Sequence, residues 1–293
     1  MVTNESHPEP DSEHSRAVDT ESSQNLGQSA EPVNPAGAGG PAAPEGADIS
    51  GTGIPRAGAN PREKRLAILA LLLLVPAPSL GVALSMMIDG TQGTTLGKAA
   101  YFLSKVWILA LPIVWTLWVD RQRLSLSPAR KGGFGVASGL GLVIAVSIAG
   151  GFWLFGDRII DATVVRNAAI ANGIGSLPIY LAFVAYLTFV NSLLEEFVWR
   201  WFVFRKCETL VGGGAAVICS ALFFTIHHVF ALKAQMDWTP TLLGSAGVFI
   251  GGAVWSWCYL RFRSVWPGYV SHLIVDAAVF VVGWYLIFEG AGA

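Results

Sequence analysis

Charge is what this sequence has least of. Asp, Glu, Lys and Arg make up 13% of its 293 residues, against about 25% in an ordinary soluble domain. Hydrophobic residues fill the gap at 53%. The net charge of −1 offers no basic surplus of the kind that binds nucleic acid. Cysteine is scarce as well. Cys207, Cys219 and Cys258 are an odd number without C-x-x-C spacing, and all lie in or beside apolar stretches. They read as buried thiols rather than as a disulfide framework or a metal knot. Residues 1–63 contain hardly any large apolar residue and are rich in Ser, Glu, Pro, Gly and Ala. Such a segment buries too little surface to offset its ordering entropy and is expected to be a disordered tail. It also lacks the early apolar run of a signal peptide.

Beyond residue 63 the picture reverses. About 20 apolar residues are needed to cross a hydrocarbon core of ~30 Å. Seven runs reach that length, near Leu66–Ile88, Ala99–Val119, Phe134–Phe155, Pro178–Phe204, Gly213–Phe230, Pro240–Leu260 and Pro267–Phe288. The expected fold is an all-α polytopic transmembrane bundle occupying residues 64–293, with an eighth span if residues 156–177 contribute a helix. Pro76 and Pro78 should kink the first span. Gly139, Gly141, Gly150 and Gly151 in the third suit close helix packing in lipid. Four basic clusters, at Arg62–Arg65, Arg121–Lys131, Arg200–Lys206 and Arg261–Arg263, fall on one side of a seven-span chain. That side is expected to be cytoplasmic, with the amino terminus on it.

Against this apolar background the polar residues inside the spans stand out. Glu195, Glu196 and Arg200 lie in the fourth run. A charge near the bilayer centre costs ~2.5–3.5 kcal/mol or more, so such residues are functional candidates by default. Glu196 and Arg200 are four apart, share a helix face and can pair. Glu195 is about 100° round the helix and free to point elsewhere. An interfacial salt bridge at a helix end is the bland alternative. Counted from the Arg205–Lys206 boundary, however, Glu195 is about 15 Å deep. The fifth run carries His227 and His228, and the seventh carries His272 and Asp276, four apart on one face.

Three spaced motifs emerge in chain order: Glu195-Glu196-(x3)-Arg200, Phe224-(x3)-His228 and His272-(x3)-Asp276. Together they resemble the CAAX-protease and bacteriocin-processing family of intramembrane proteases, whose motifs are E-E-x-x-x-R, F-x-x-x-H and H-x-x-x-N/D on successive helices. The resemblance covers residues 178–288. It implies a glutamate-dependent endopeptidase in which Glu195 activates water with help from His228. It further implies that His272 and Asp276 hold the oxyanion and that Glu196 and Arg200 are structural partners. Phe223-(x3)-His227 fits the second motif as well, so His227 competes with His228 for the role. Asp276 stands where Asn is more familiar. As an anion it cannot donate to an oxyanion, so it is either protonated or an orienter of His272. The implied partners are the lipid bilayer and a peptide or membrane-protein substrate, in a bacterial plasma membrane.

Two rival readings use the same residues. A zinc metalloprotease could ligate Glu, His and Asp side chains, although H-E-x-x-H is missing. On an ideal helix the adjacent His227 and His228 rings diverge by about 100°, which argues against one ion held by both. No cofactor is therefore expected, with zinc left open. A transporter or proton relay also buries Glu, His and Asp, but no internal repeat of the kind many transporters carry is visible. A serine nucleophile is disfavoured, because Ser192 and Ser271 adjoin motif residues and should point about 100° away from them. If the protease reading holds, Glu195 should sit within about 8 Å of the His228 and His272 rings.

Overall fold

A computed structural model describes residues 59–290. The first 58 residues of the expected tail lie outside the described residues. Among the described residues seven helices are long and apolar enough to cross a membrane: α1 (Pro61–Met86), α2 (Thr95–Val119), α3 (Phe134–Ile159), α5 (Leu177–Val211), α6 (Gly213–Lys233), α7 (Trp238–Phe262) and α8 (Val265–Glu289). A shorter helix, α4 (Ala162–Ala171), occupies the mixed segment before α5. Its ten residues are far too few to span, so that segment adds no eighth crossing. The described residues contain no strand. The chain is an all-α, multi-pass membrane protein.

Local chemistry explains the helix ends. α1 begins at Pro61, inside the expected tail, because Asn60 caps it. The Asn60 side chain accepts from the Glu63 N–H while the Glu63 carboxylate accepts from the Asn60 N–H, a reciprocal capping box. Midway along α1, Pro76 and Pro78 lack the N–H groups that would bond Leu72 and Leu74. The helical bonding is accordingly interrupted at Val75.

One end of the bundle is tied by ion pairs between helices. Lys206 meets Asp120 at 2.6 Å, and Arg205 donates to Gln122 at 2.8 Å. Arg263 closes α7 in a left-handed conformation, φ 52°, and grips Glu208 through both terminal nitrogens at 2.8 and 2.7 Å. That bidentate bond holds the Arg263 guanidinium above its ordinary range. The basic clusters near residues 121, 205 and 261 thus mark one common end.

α3 packs along α8 and α6 along α7. Of the glycines expected to tighten α3, only Gly141 does so. A Cβ there would meet the Ser271 Oγ at 2.8 Å and its carbonyl oxygen at 2.9 Å, whereas Gly139, Gly150 and Gly151 have nothing within 4 Å. Since Ser271 precedes His272, Gly141 sets how closely α3 backs the third motif.

Gly141→Ala should therefore force the two helices apart and destabilise the fold by about 1–3 kcal/mol. Gly139→Ala should be neutral or slightly stabilising. Unfolding midpoints in detergent compare the two, and equal midpoints would contradict the close approach.

Candidate active site

The site forms where α5, α6 and α8 meet. α5 is not a uniform α-helix: Tyr186–Asn191 and Glu196–Phe204 are π-helical, and the four residues between them, Ser192–Glu195, form one α-helical turn. Single π turns recur at functional sites. The glutamate pair sits on the junction between the two geometries. An ideal wheel separates Glu195 from Glu196, and the structure brings them back to one ring from opposite sides. His272 Nδ1 lies 3.1 Å from Glu196 Oε1, and His272 Nε2 lies 3.8 Å from Glu195 Oε2.

Glu196 and Arg200 are fully buried, with side-chain exposures of 0% each. They approach to 3.4 Å, but no guanidinium nitrogen is in hydrogen-bond geometry among the described residues. Arg200 is instead held between aromatic faces, 4.5 Å from the Phe224 ring centre and 5.0 Å from that of Trp255. In a dry setting that cation–π contact contributes about 2 kcal/mol. Glu196 is thus more than a partner for Arg200. Its carboxylate can only accept, so it fixes the hydrogen on His272 Nδ1 and aims Nε2 at Glu195 and Asp276.

Trp255 completes the support for that ring, stacked on His272 at 3.7 Å and 17°. Its own indole N–H donates to Ser271 at 3.2 Å. Phe224 packs among the aromatic rings of the site, edge-on to His272 at 6.4 Å. Its backbone carbonyl is 2.9 Å from His228 Nδ1. A carbonyl only accepts, so Nδ1 carries a hydrogen and Nε2 is left free. His227 has no such partner: it is buried, stacked on Trp199 at 5.1 Å and 6°, with an unpartnered Nδ1. The geometry orients His228, the half-buried one, better than His227.

Glu195 is one of the site's more accessible carboxylates, 16% exposed against 0% for Glu196. Asn191 donates its amide to Glu195 Oε1 at 2.8 Å, which leaves Oε2 facing the ring. Asp276 points one oxygen at His272 Nε2, 3.7 Å away, and the other at the Ser192 hydroxyl, 2.5 Å away. Ser192 therefore does not point away from the site, as ideal helix angles suggested. It is 1% exposed, closed to a substrate, and serves as a support for Asp276.

The expected divergence of the two adjacent imidazoles is also overturned. Their ring centres are 4.0 Å apart, and one ligand atom from each of Glu195, His227 and His228 lies within 4.8 Å of the others. Side-chain torsions swing the two rings back toward each other from Cβ atoms that leave the helix about 100° apart. That trio is a donor set a zinc ion accepts.

Asn191, Trp199 and Trp255 were not singled out in the sequence, and Ser192 was set aside as facing away. Asn191 could have been, as a polar side chain in an apolar span one turn before Glu195. The two tryptophans carry no such signal, since apolar neighbours are common in any bundle.

Residues 177–278 match the family model described as Rce1-like: Type II CAAX prenyl endopeptidase Rce1-like. The match contains all three motifs and agrees with the resemblance they carry. No curated protein and no solved structure matches the chain.

The burial pattern separates two kinds of glutamate. Glu196→Gln or Arg200→Ala strands a buried partner and should destabilise the fold by about 3–5 kcal/mol. Glu195→Gln, at the open side, should change stability little. Chemical unfolding of the three purified variants checks this, and equal losses would mean that all three residues are purely structural.

Proposed function

We propose that the protein is an intramembrane endopeptidase of the CAAX-processing type that cleaves by glutamate-activated water. The observation that carries this reading is the asymmetry of Glu195. One oxygen is held by Asn191 at 2.8 Å, and the other faces the His272 ring from a partly open position. A gap of 3.8 Å is longer than a hydrogen bond, so Oε2 is free to accept a proton from water.

In the proposed reaction Glu195 takes that proton while the water oxygen attacks the scissile carbonyl. His272 lies between carboxylates on both of its nitrogens and is placed to donate from both. Nε2–H then stabilises the developing oxyanion, a contribution of ~2.7–4 kcal/mol. Asp276 steadies that proton, as its Ser192 contact and its 3.7 Å approach to Nε2 suggest. Glu195 returns its proton to the leaving amine, with a His228 ring nitrogen within 4.8 Å of its carboxylate. The substrate named by the family, a prenylated CAAX peptide, is the first to try. The orientation proposed places the amino terminus and the ion-paired end of the bundle in the cytoplasm.

The trio of Glu195, His227 and His228 favours a second reading, zinc-assisted hydrolysis. A zinc ion there would supply a water of lowered pKa. In that case Glu195 and the free Nε2 of His228 would be ligands, and the Phe224 carbonyl would fix the ligating tautomer.

Both readings predict that Glu195→Gln abolishes peptide cleavage while folded protein persists. They part on chelation. The glutamate mechanism predicts full activity of the purified protein after exhaustive treatment with chelator and no stoichiometric zinc by elemental analysis. Activity lost to chelator and restored by zinc would select the second reading. A Glu195→Gln protein that still cleaves would sink both.

A further inference from the structure

Asn191 is the polar group of the site whose chemistry is only half used. It is the last residue of the π-helical stretch Tyr186–Asn191 and lies one turn before Glu195 on the same helix. Its amide nitrogen donates to Glu195 Oε1 at 2.8 Å. A carboxylate only accepts, so that contact also settles which end of the amide is which.

The other end is idle. Asn191 Oδ1 accepts from no donor among the described residues, yet it is not sealed in the core, where such an atom would be costly. The residue is half-buried, like Glu195 itself.

Covalent geometry fixes where this acceptor lies. The oxygen and nitrogen of one amide are ~2.3 Å apart, so Oδ1 is within ~5 Å of Glu195 Oε1. His272 Nε2 is 3.8 Å from the other oxygen of that carboxylate, and a His228 ring nitrogen lies within 4.8 Å of it. The idle oxygen therefore borders the space in which a peptide bond would be attacked.

The choice of an amide is informative. A cation at position 191 would hold Glu195 as an ion pair and weaken it as a base. A hydroxyl would put donor and acceptor on one atom. A carboxamide restrains Glu195 with a neutral donor and keeps a separate acceptor beside it.

We infer that Asn191 is a substrate-binding residue whose Oδ1 accepts a backbone N–H of the peptide next to the scissile bond. In the reaction proposed above, the peptide carbonyl goes to His272 and water goes to Glu195. The neighbouring peptide N–H would be left unpaired in a dry cleft, a costly state that Oδ1 removes. The proposal rests on the endopeptidase reading only for the ligand being a peptide.

A backbone ester scan tests it, since an ester oxygen removes one N–H and leaves the chain in place. Full-length Glu195→Gln protein in nanodiscs, whose new amide carbonyl still accepts from Asn191, would be titrated with a dansylated, farnesylated peptide. Analogues carry the ester at one position each. One of them should bind about three- to tenfold more weakly than the parent. Asn191→Leu should erase that loss and leave the other positions unchanged. Asn191→Asp retains an acceptor, faces an amide at position 195 and should keep most of the loss. Each comparison is a ratio within one protein, so a reduced folded fraction cancels. Equal affinities across the scan, a loss that survives Asn191→Leu, or no binding of any peptide would overturn the assignment and leave Asn191 as a clamp on Glu195 alone. Cleavage is scored separately with Glu195 intact. A position-specific loss without cleavage would sink the endopeptidase reading and leave the Asn191 contact standing.

Discussion

The site depends on one imidazole held between two carboxylates of the same helix. His272 presents Nδ1 to Glu196 at 3.1 Å and Nε2 toward Glu195 at 3.8 Å. The short contact and the long one divide the labour. The inner glutamate is sealed from solvent and fixes the ring, while the outer one keeps an oxygen available. Everything packed around α5 and α8 serves to hold that ring at that height. Trp255 stacks on its face, and Gly268, one turn earlier on α8, leaves room for Glu196. A Cβ at Gly268 would come within 2.7 Å of Glu196 Oε2. The demand here is for space beside a charge, not for backbone freedom.

Burying Arg200 beside Glu196 looks wasteful, because a dry ion pair often fails to recover its desolvation penalty. The arrangement makes sense if conformational specificity is what the pair provides. Arg200 is off hydrogen-bond geometry to Glu196 and gripped by Phe224 and Trp255. It therefore packs between rings of α6 and α7 and the glutamate that orients His272. The first motif is coupled through one guanidinium to the phenylalanine of the second. The spacing of polar residues in α5 and aromatic ones in α6 is a single constraint.

Much of this was legible in the sequence, for physical reasons. Apolar runs of spanning length are strong signals, and all seven became helices. Glu195, Glu196, His228, His272 and Asp276 were conspicuous because charge and imidazole are expensive in lipid. Failures came from treating helices as ideal and side chains as fixed spokes. His227 and His228 were expected to diverge and instead bring their ring centres to 4.0 Å, tilted by 48°. Ser192 was expected to face away and instead meets Asp276. The π-helical stretches on both sides of Ser192–Glu195 leave no trace in hydrophobic periodicity. Three of the four α3 glycines turned out to have no neighbour, because composition records the presence of small residues but not which way they face.

The electrostatics of the cleft follow from the same geometry. On the sealed side, Arg200 sits against Glu196, and each charge has its opposite within the bundle. On the open side Glu195 and Asp276 converge on a single ring nitrogen. Two anions around one donor repel each other in a low-dielectric setting. Whatever enters between them is favoured if it brings a hydrogen-bond donor to Glu195 and an acceptor to His272. A water molecule supplies the first and a peptide carbonyl the second. The charge pattern left unbalanced by the fold therefore suits a water molecule placed beside a carbonyl group.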